Sequence, residues 1–140
     1  RKGILVFTRF LKEAERLTMS ISGCVIVSGD TPKKERERIL EMFKVGEIPV
    51  VANVGVLTTG FDYPELDTVV MARPTMSLAM YYQIVGRCIR PHKDKEAAWF
   101  VDLCGNINRF GEVSDLHLKD TGNGKWAVFS RGRQLTNVRF

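Results

Sequence analysis

The stretch Cys24 to Val54, CVIVSGDTPKKERERILEMFKVGEIPVVANV, decides how the chain folds. Val25 to Ser28 is a short apolar run that reads as a buried strand. Thr31 and Pro32 then mark a helix start, a hydroxyl at the N-cap and proline at the first helical position. Ile39, Leu40 and Phe43 form the apolar face of that helix, and Gly46 reads as its stop. Val50 to Val54 is a second apolar run and a second strand. A helix between two strands favours parallel pairing, because a tight hairpin can join only antiparallel neighbours.

The same alternation continues outward. Ile4 to Thr8 reads as a strand, and Leu11, Ala14 and Leu17 recur at helical spacing through Met19. Thr68 to Ala72 is a fourth strand. Ser77 caps a helix predicted from Leu78 to about Arg90, where Pro91 halts it. Ala97 to Leu103 is a fifth strand. The expectation is an α/β fold, an open parallel sheet with helices on both faces. Past Asn106 the pattern weakens, and Trp126 to Ser130 reads as an extended edge segment. Residues 1–110 are expected to form one lobe and residues 111–140 a basic extension.

Length and composition fit that division. The chain has 140 residues, 44% hydrophobic and 26% charged, enough for one domain with a core. Its apolar runs are too short to span a bilayer, and no secretory leader pattern opens it. It starts at Arg1 rather than Met, which reads as an excised segment, and the expected location is cytoplasmic. Cys24, Cys88 and Cys104 are widely spaced with no Cys-x-x-Cys pair, so no metal site is expected. Net charge is +5, and residues 117–140 hold five basic residues against Asp120 alone. A polyanion near that tail and a merely solvated terminus explain the charge equally well.

Three stretches carry candidate chemistry. On a helix, Gln83, Arg87 and Arg90 stand at i, i+4 and i+7 and share one face, a stripe able to grip phosphate oxygens bidentately. Tyr82, Val85 and Ile89 are expected on another face, toward the sheet. Val56 to Pro64 follows the third strand, where loops of a parallel sheet line ligand crevices. There Gly60 permits close backbone approach and Asp62 offers a carboxylate to a ribose hydroxyl or a cation. Ser28 to Arg36 runs from a strand end into a helix N-terminus, where free N–H groups suit an anion. Each stretch alone also fits a solvated helix face, a polar turn or an ordinary capped helix.

In order and spacing these stretches resemble the C-terminal RecA-like lobe of superfamily 2 helicases. Ile4 to Arg9 resembles motif IV, Gly29 to Gly46 the helix that follows it, Thr58 to Asp62 motif V, and Gln83 to Arg90 motif VI. The resemblance implies that Arg87 and Arg90 reach the γ-phosphate of ATP, Arg90 as the arginine finger. It further implies that Gln83, Gly60 and Asp62 face the nucleotide, and that Thr8, Arg9, Gly29 and Asn53 touch the nucleic-acid backbone. DEAD-box proteins have His-Arg where this chain has Gln83-Ile84, and often Thr-Asp where it has Val54-Gly55. Asn53 to Asp62 and Asp102 to Asn106 are more similar to RadD-like repair helicases, UvsW-like helicases and restriction-enzyme translocases. DNA rather than RNA, and a place in DNA repair, follow from that likeness.

What the chain lacks sharpens the expectation. No Gly-x-x-x-x-Gly-Lys-Ser/Thr and no Asp-Glu pair occur in the 140 residues. Most phosphate contacts and the Mg²⁺ are therefore expected from a separate N-terminal lobe, and the fragment alone is expected to be inactive. The expected function is the second motor lobe of an ATP-dependent helicase or translocase. The rivals are a RecA-like module that binds nucleic acid or a partner without hydrolysis, and a free-standing flavodoxin-like enzyme, which the missing glycine loop disfavours.

Overall fold

Five strands form one sheet in the computed structural model, which describes residues 3–57, 63–87, 92–122 and 124–135. They are β1 (Ile4–Thr8), β2 (Cys24–Ser28), β3 (Val50–Val54), β4 (Thr68–Ala72) and β5 (Trp99–Asp102). Their order is β2-β3-β1-β4-β5, and every neighbouring pair is parallel. Leu5 lies beside Val51 and Val69, and Phe7 beside Asn53 and Met71. Side chains alternate across a strand, so Leu5, Phe7, Val27, Val51, Val69 and Met71 share one face. That face is the core.

Helix α2 (Lys33–Lys44) and helix α3 (Leu78–Gly86) cover it. Ile39 and Phe43 from α2, and Tyr81, Ile84 and Val85 from α3, complete the same apolar cluster. Phe43 is fully buried and meets the Tyr63 ring edge-on at 5.6 Å. Burying one such side chain contributes roughly 1.5–3 kcal/mol. Helix α1 (Leu11–Ser20) packs over β1, β2 and β3 on the opposite face, where Val6, Ala14 and Ala52 are buried. The fold is the expected one, an α/β sheet with helices on both faces. Trp99 and Val101 on β5 lie past the strands that α1 covers and are exposed.

Several boundaries differ from expectation for physical reasons. Helix α2 starts one residue late: Pro32 keeps an extended ψ of 146°, and the Thr31 hydroxyl accepts the Ser28 N–H instead of capping the helix. Gly46 does end α2, with φ at +85°, the left-handed region glycine tolerates. On α3 the sheet-facing set is Tyr81, Ile84 and Val85, whereas Tyr82 is 56% exposed and Ile89 lies outside the described residues. The Tyr81 ring stacks on Phe110 at 5.2 Å and meets Phe100 edge-on, and its hydroxyl donates to the Gly111 carbonyl at 2.8 Å. Tyr81 therefore fills the slot expected for Tyr82.

After β5 the chain forms a short helix α4 (Asn106–Phe110) and then a second, antiparallel sheet. Its strands are β6 (Leu116–Gly122), β7 (Lys125–Ser130) and β8 (Arg133–Gln134), in that spatial order. The expected edge segment is thus the central strand, hydrogen-bonded on both sides. This sheet is tied back to α4: Arg133 donates to the Arg109 carbonyl, and Leu135 packs against the core.

Candidate functional site

The polar residues gather where the parallel strands end. In the register Thr8 aligns with Val54 and Ala72, Ser28 with Val54, and Met71 with Asp102. Thr8, Arg9, Gly29, Asn53, Arg73 and Asp102 therefore share the carboxyl-terminal edge. They are not equally available. Thr8 is buried and its hydroxyl donates to the Asn53 carbonyl at 3.2 Å. Asn53 is also buried, and its Oδ1 accepts the N–H groups of Val56 and Leu57, both at 3.1 Å, shaping the turn after β3. Arg9 and Gly29 are exposed. Of the six, two are thus buried and shape the edge, two lie at the surface, and Arg73 and Asp102 are half-buried.

A second cluster at the same edge is one the sequence reading did not assign. Asn106, fully buried at the start of α4, uses its whole amide. Its Oδ1 accepts from the Thr75 N–H at 3.0 Å and from Arg109 Nη1 at 3.2 Å. Its Nδ2 donates to the Arg73 carbonyl at 3.1 Å and to Asp102 Oδ1 at 2.8 Å. Arg109 Nη1 also reaches the Thr75 carbonyl at 3.0 Å, and Asp102 Oδ2 accepts the Ile107 N–H at 2.8 Å. The loop leaving β4 is thereby fixed to the loop leaving β5. The legible signal was position: Arg73-Pro74 and Asp102 both stand at strand carboxyl ends.

Helix α3 begins at this edge. Ser77 caps it as expected, its Oγ accepting the Met80 N–H at 3.2 Å. Gln83 is exposed on α3, and Arg87 is its half-buried C-cap residue with helical backbone angles. At 1.5 Å per residue, Arg87 lies roughly 15 Å along the helix from Ser77. The Gln83–Arg87 end is therefore separate from the strand-end cluster. Gly60, Asp62 and Arg90, the remaining expected site residues, lie outside the described residues.

Titratable groups follow the same packing. Burial pushes the Tyr81 phenol up to about 12, and the carboxylates of Asp102 and Glu112 add to the shift. Burial also raises the Cys104 thiol, and Asp102 acts in the same direction. Glu65, His92 and Asp94 approach one another, with His92 Nε2 3.8 Å from Glu65 Oε1. His92 Nδ1 already accepts the Asp94 N–H at 3.2 Å, so two members of the trio are engaged in a turn.

Comparison with known proteins places this geometry. The family model described as helicase conserved C-terminal domain matches residues 1–92. The chain is 38% identical over 79 residues to IRC3 of Saccharomyces cerevisiae, covering 56% of this chain and 12% of that protein. It is 34% identical over 101 residues to the ATP-dependent RNA helicase DBP3 of Gibberella zeae, covering 69% and 17%. It is 34% identical over 94 residues to the DNA 3'-5' translocase XPB2 of Sulfurisphaera tokodaii, covering 67% and 21%. The C-terminal domain of the DEAD-box protein Dbp5 superposes with a TM-score of 0.58 at 25% identity, over 76% of this chain and 64% of that one. The chain spans less than a quarter of the length of these curated relatives.

Proposed function

The chain belongs to the helicase conserved C-terminal domain family, and from that membership we propose that it is the second motor lobe of an ATP-dependent helicase or translocase. The observation that carries this reading is helix α3. Tyr81, Ile84 and Val85 pin one side of it to the core, while Gln83 faces outward and Arg87 ends it. An arginine at the end of a pinned helix has its backbone fixed before any ligand arrives, which limits the reorganisation that electrostatic stabilisation of a transition state must avoid.

ATP would lie between this lobe and another that supplies the phosphate loop, because no such loop occurs in the 140 residues. The described half-site fits a nucleotide's phosphate end: a half-buried arginine stem and an exposed amide one helical turn before it. Arg87 would meet charge developing on the transferring phosphoryl group, and Gln83 would hydrogen-bond beside it. Mg²⁺ would be held by the other lobe and would neutralise charge on the phosphates. Arg90, Gly60 and Asp62 complete the assignment through the family resemblance alone. The polymer is nucleic acid. DNA is the first choice from the likeness of the motif V and strand-five segments, although relatives are named for RNA as well as DNA.

The test is Arg87→Lys in the full-length protein, with nucleic-acid-stimulated hydrolysis and melting temperature measured on one preparation. Lysine keeps the stem and the charge but loses the planar fork. An arginine finger contributes on the order of 10³ to 10⁵ in rate; Arg87, which the resemblance sets beside the Arg90 finger on the same phosphate, is expected to supply a large share of that, so kcat should fall steeply while melting changes little. Turnover within a few-fold of wild type would leave the non-catalytic binding module as the better account.

A further inference from the structure

Strand order gives the carboxyl-terminal edge a direction. From β1 the chain departs through α1 toward β2 on one side, and from β4 it departs through α3 toward β5 on the other. β1 and β4 are neighbours, and α1 and α3 lie on opposite faces. The strand order therefore reverses between these two carboxyl ends, and in open α/β sheets that reversal is where ligands seat.

A groove lies there. It has a volume of about 460 Å³ and is lined by Arg9 from the β1 exit and by Arg73, Pro74, Thr75, Met76 and Ser77 from the β4 exit. Among the described residues, neither guanidinium has a carboxylate within ion-pair distance or a side-chain hydrogen bond. Arg9 lies over the Phe10 ring at 5.0 Å, and Arg73 Nε is shielded from water without an acceptor. The nearby carboxylates are committed elsewhere. Glu13 accepts the N–H groups of Arg9 and Phe10, and Asp102 accepts those of Cys104 and Ile107 together with the Asn106 amide.

We propose that this groove seats one phosphodiester group of the nucleic-acid strand, with Arg73 as the principal ligand and Arg9 as the second. The proposal rests on the nucleic-acid reading above and deepens it. Two arginines facing one groove without acceptors form an oxyanion site, and guanidinium forks bind phosphate oxygens bidentately. The Asn106 network makes the seat rigid. It holds the backbone carbonyl of Arg73 and both backbone groups of Thr75, so the arginine projects from a fixed base. A backbone phosphate, rather than a base, is the chemistry that such donors recognise, and the seat should be indifferent to sequence.

The experiment measures binding of a fluorescent single-stranded oligothymidylate to the full-length protein by anisotropy, across a salt series. Wild type is compared with Arg73→Ala, Arg73→Gln, Arg9→Ala and Lys93→Ala; ATP KM and melting temperature are recorded for each. Each phosphate contact on a single strand contributes about 0.7 to the slope of log K against log salt. Loss of Arg73 or Arg9 is expected to flatten the slope by about that amount and to weaken binding on the order of tenfold. Lys93→Ala removes an equal charge at the opposite edge of the sheet and is expected to change neither. Arg73→Gln keeps most of the stem and separates lost charge from lost packing.

An unchanged slope in both Arg73 variants, with a steep wild-type slope, would overturn the seat while leaving the helicase reading intact. A raised ATP KM with an unchanged slope would assign the groove to nucleotide phosphate and overturn the proposal. An equal loss in Lys93→Ala would reduce the effect to net charge and overturn it too. A wild type whose binding is flat with salt would overturn both the seat and the nucleic-acid reading.

Discussion

Asn106→Ala is the substitution that most directly tests how the strand-end edge is held. The buried amide makes four hydrogen bonds, and their partners are not equally exposed to the loss. Asp102 would keep the Cys104 and Ile107 N–H groups, and Arg109 would keep the Thr75 carbonyl. The Thr75 N–H and the Arg73 carbonyl would lose the partner that Asn106 provides. Each orphaned buried backbone group costs about 1–3 kcal/mol. Water entering the vacated space would recover part of that, because the site is polar and offers it several partners. The expected loss is about 3 kcal/mol, well beyond the roughly ±0.5 kcal/mol of a surface change. For a domain of this size it corresponds to a fall in melting temperature of roughly 10 °C.

The assay is urea and thermal denaturation of Asn106→Ala beside Asn108→Ala, an exposed position on the same helix. Asn106→Asp refines it. The carboxylate would keep the shape of the amide but set an acceptor against Asp102 Oδ1 and the Arg73 carbonyl, where the wild type has a donor. Arg109 would favour the introduced carboxylate, but full burial and the Asp102 carboxylate at 2.8 Å oppose it, so its folded-state pKa should lie above the unfolded value near 3.9. Its penalty should accordingly be small at low pH and grow as pH rises through the folded pKa. A loss under about 1 kcal/mol in Asn106→Ala, or a flat pH profile for Asn106→Asp, would refute the view that this network fixes the edge.

Other outcomes follow from the same packing. The Tyr81 phenol, pushed up to about 12 from an ordinary 10, should make stability full below pH 10 and falling as pH rises toward 12. Two pKa units correspond to about 3 kcal/mol, and Tyr81→Phe should abolish this tyrosine's share of the alkaline slope while costing about 1–3 kcal/mol at neutral pH through the unpaired Gly111 carbonyl. Alkaline denaturation curves of the two proteins, compared side by side, decide the point. Gly111→Ala should be strongly destabilising by the same denaturation assays, because its Cβ would meet the Ser130 side chain at under van der Waals distance and φ there is +84°. A neutral effect would mean that the β6–β8 sheet is not held against α4 as described.

The parallel sheet was legible because strands covered on both faces read as continuous apolar runs, and Ile4 to Phe7 and Val50 to Ala52 have no polar interruption. The second sheet was not. Strand β6 is exposed along nearly all of its length, and its alternation, Leu116-His117-Leu118-Lys119, stops after four residues at Asp120, too short to mark a half-buried strand. The phase of α3 was misread at one position, because Tyr81 and Tyr82 are adjacent aromatics and periodicity cannot choose between them. Phe100, Phe110 and the Gly111 carbonyl make that choice, and they lie 19 to 30 residues further along the chain. The Asn106 network was invisible for a related reason: its partners at Arg73 and Thr75 are more than 30 residues away. Among the expected site residues, Thr8 and Asn53 turned out to be buried, which a motif pattern cannot distinguish from exposure.

Helix α3 joins the two ends of this lobe. Its first turn opens on the groove of Arg9 and Arg73, and its last residue hands over to Arg87 roughly 15 Å away. Nine residues of helix held at Tyr81, Ile84 and Val85 move as one body, because a packed core resists continuous deformation. Under the proposed function, a strand phosphate seated at one end and a nucleotide phosphate met at the other would therefore bear on the same rigid element. In that reading the Asn106 amide would have a role beyond stability. It ties the loop entering α3 to α4, so a shift of the seated phosphate would pass to the helix rather than be absorbed by a slack loop. A lobe built this way needs no long relay of side chains between its two sites, because the shortest connection between them is a single helix and the loop that leads into it.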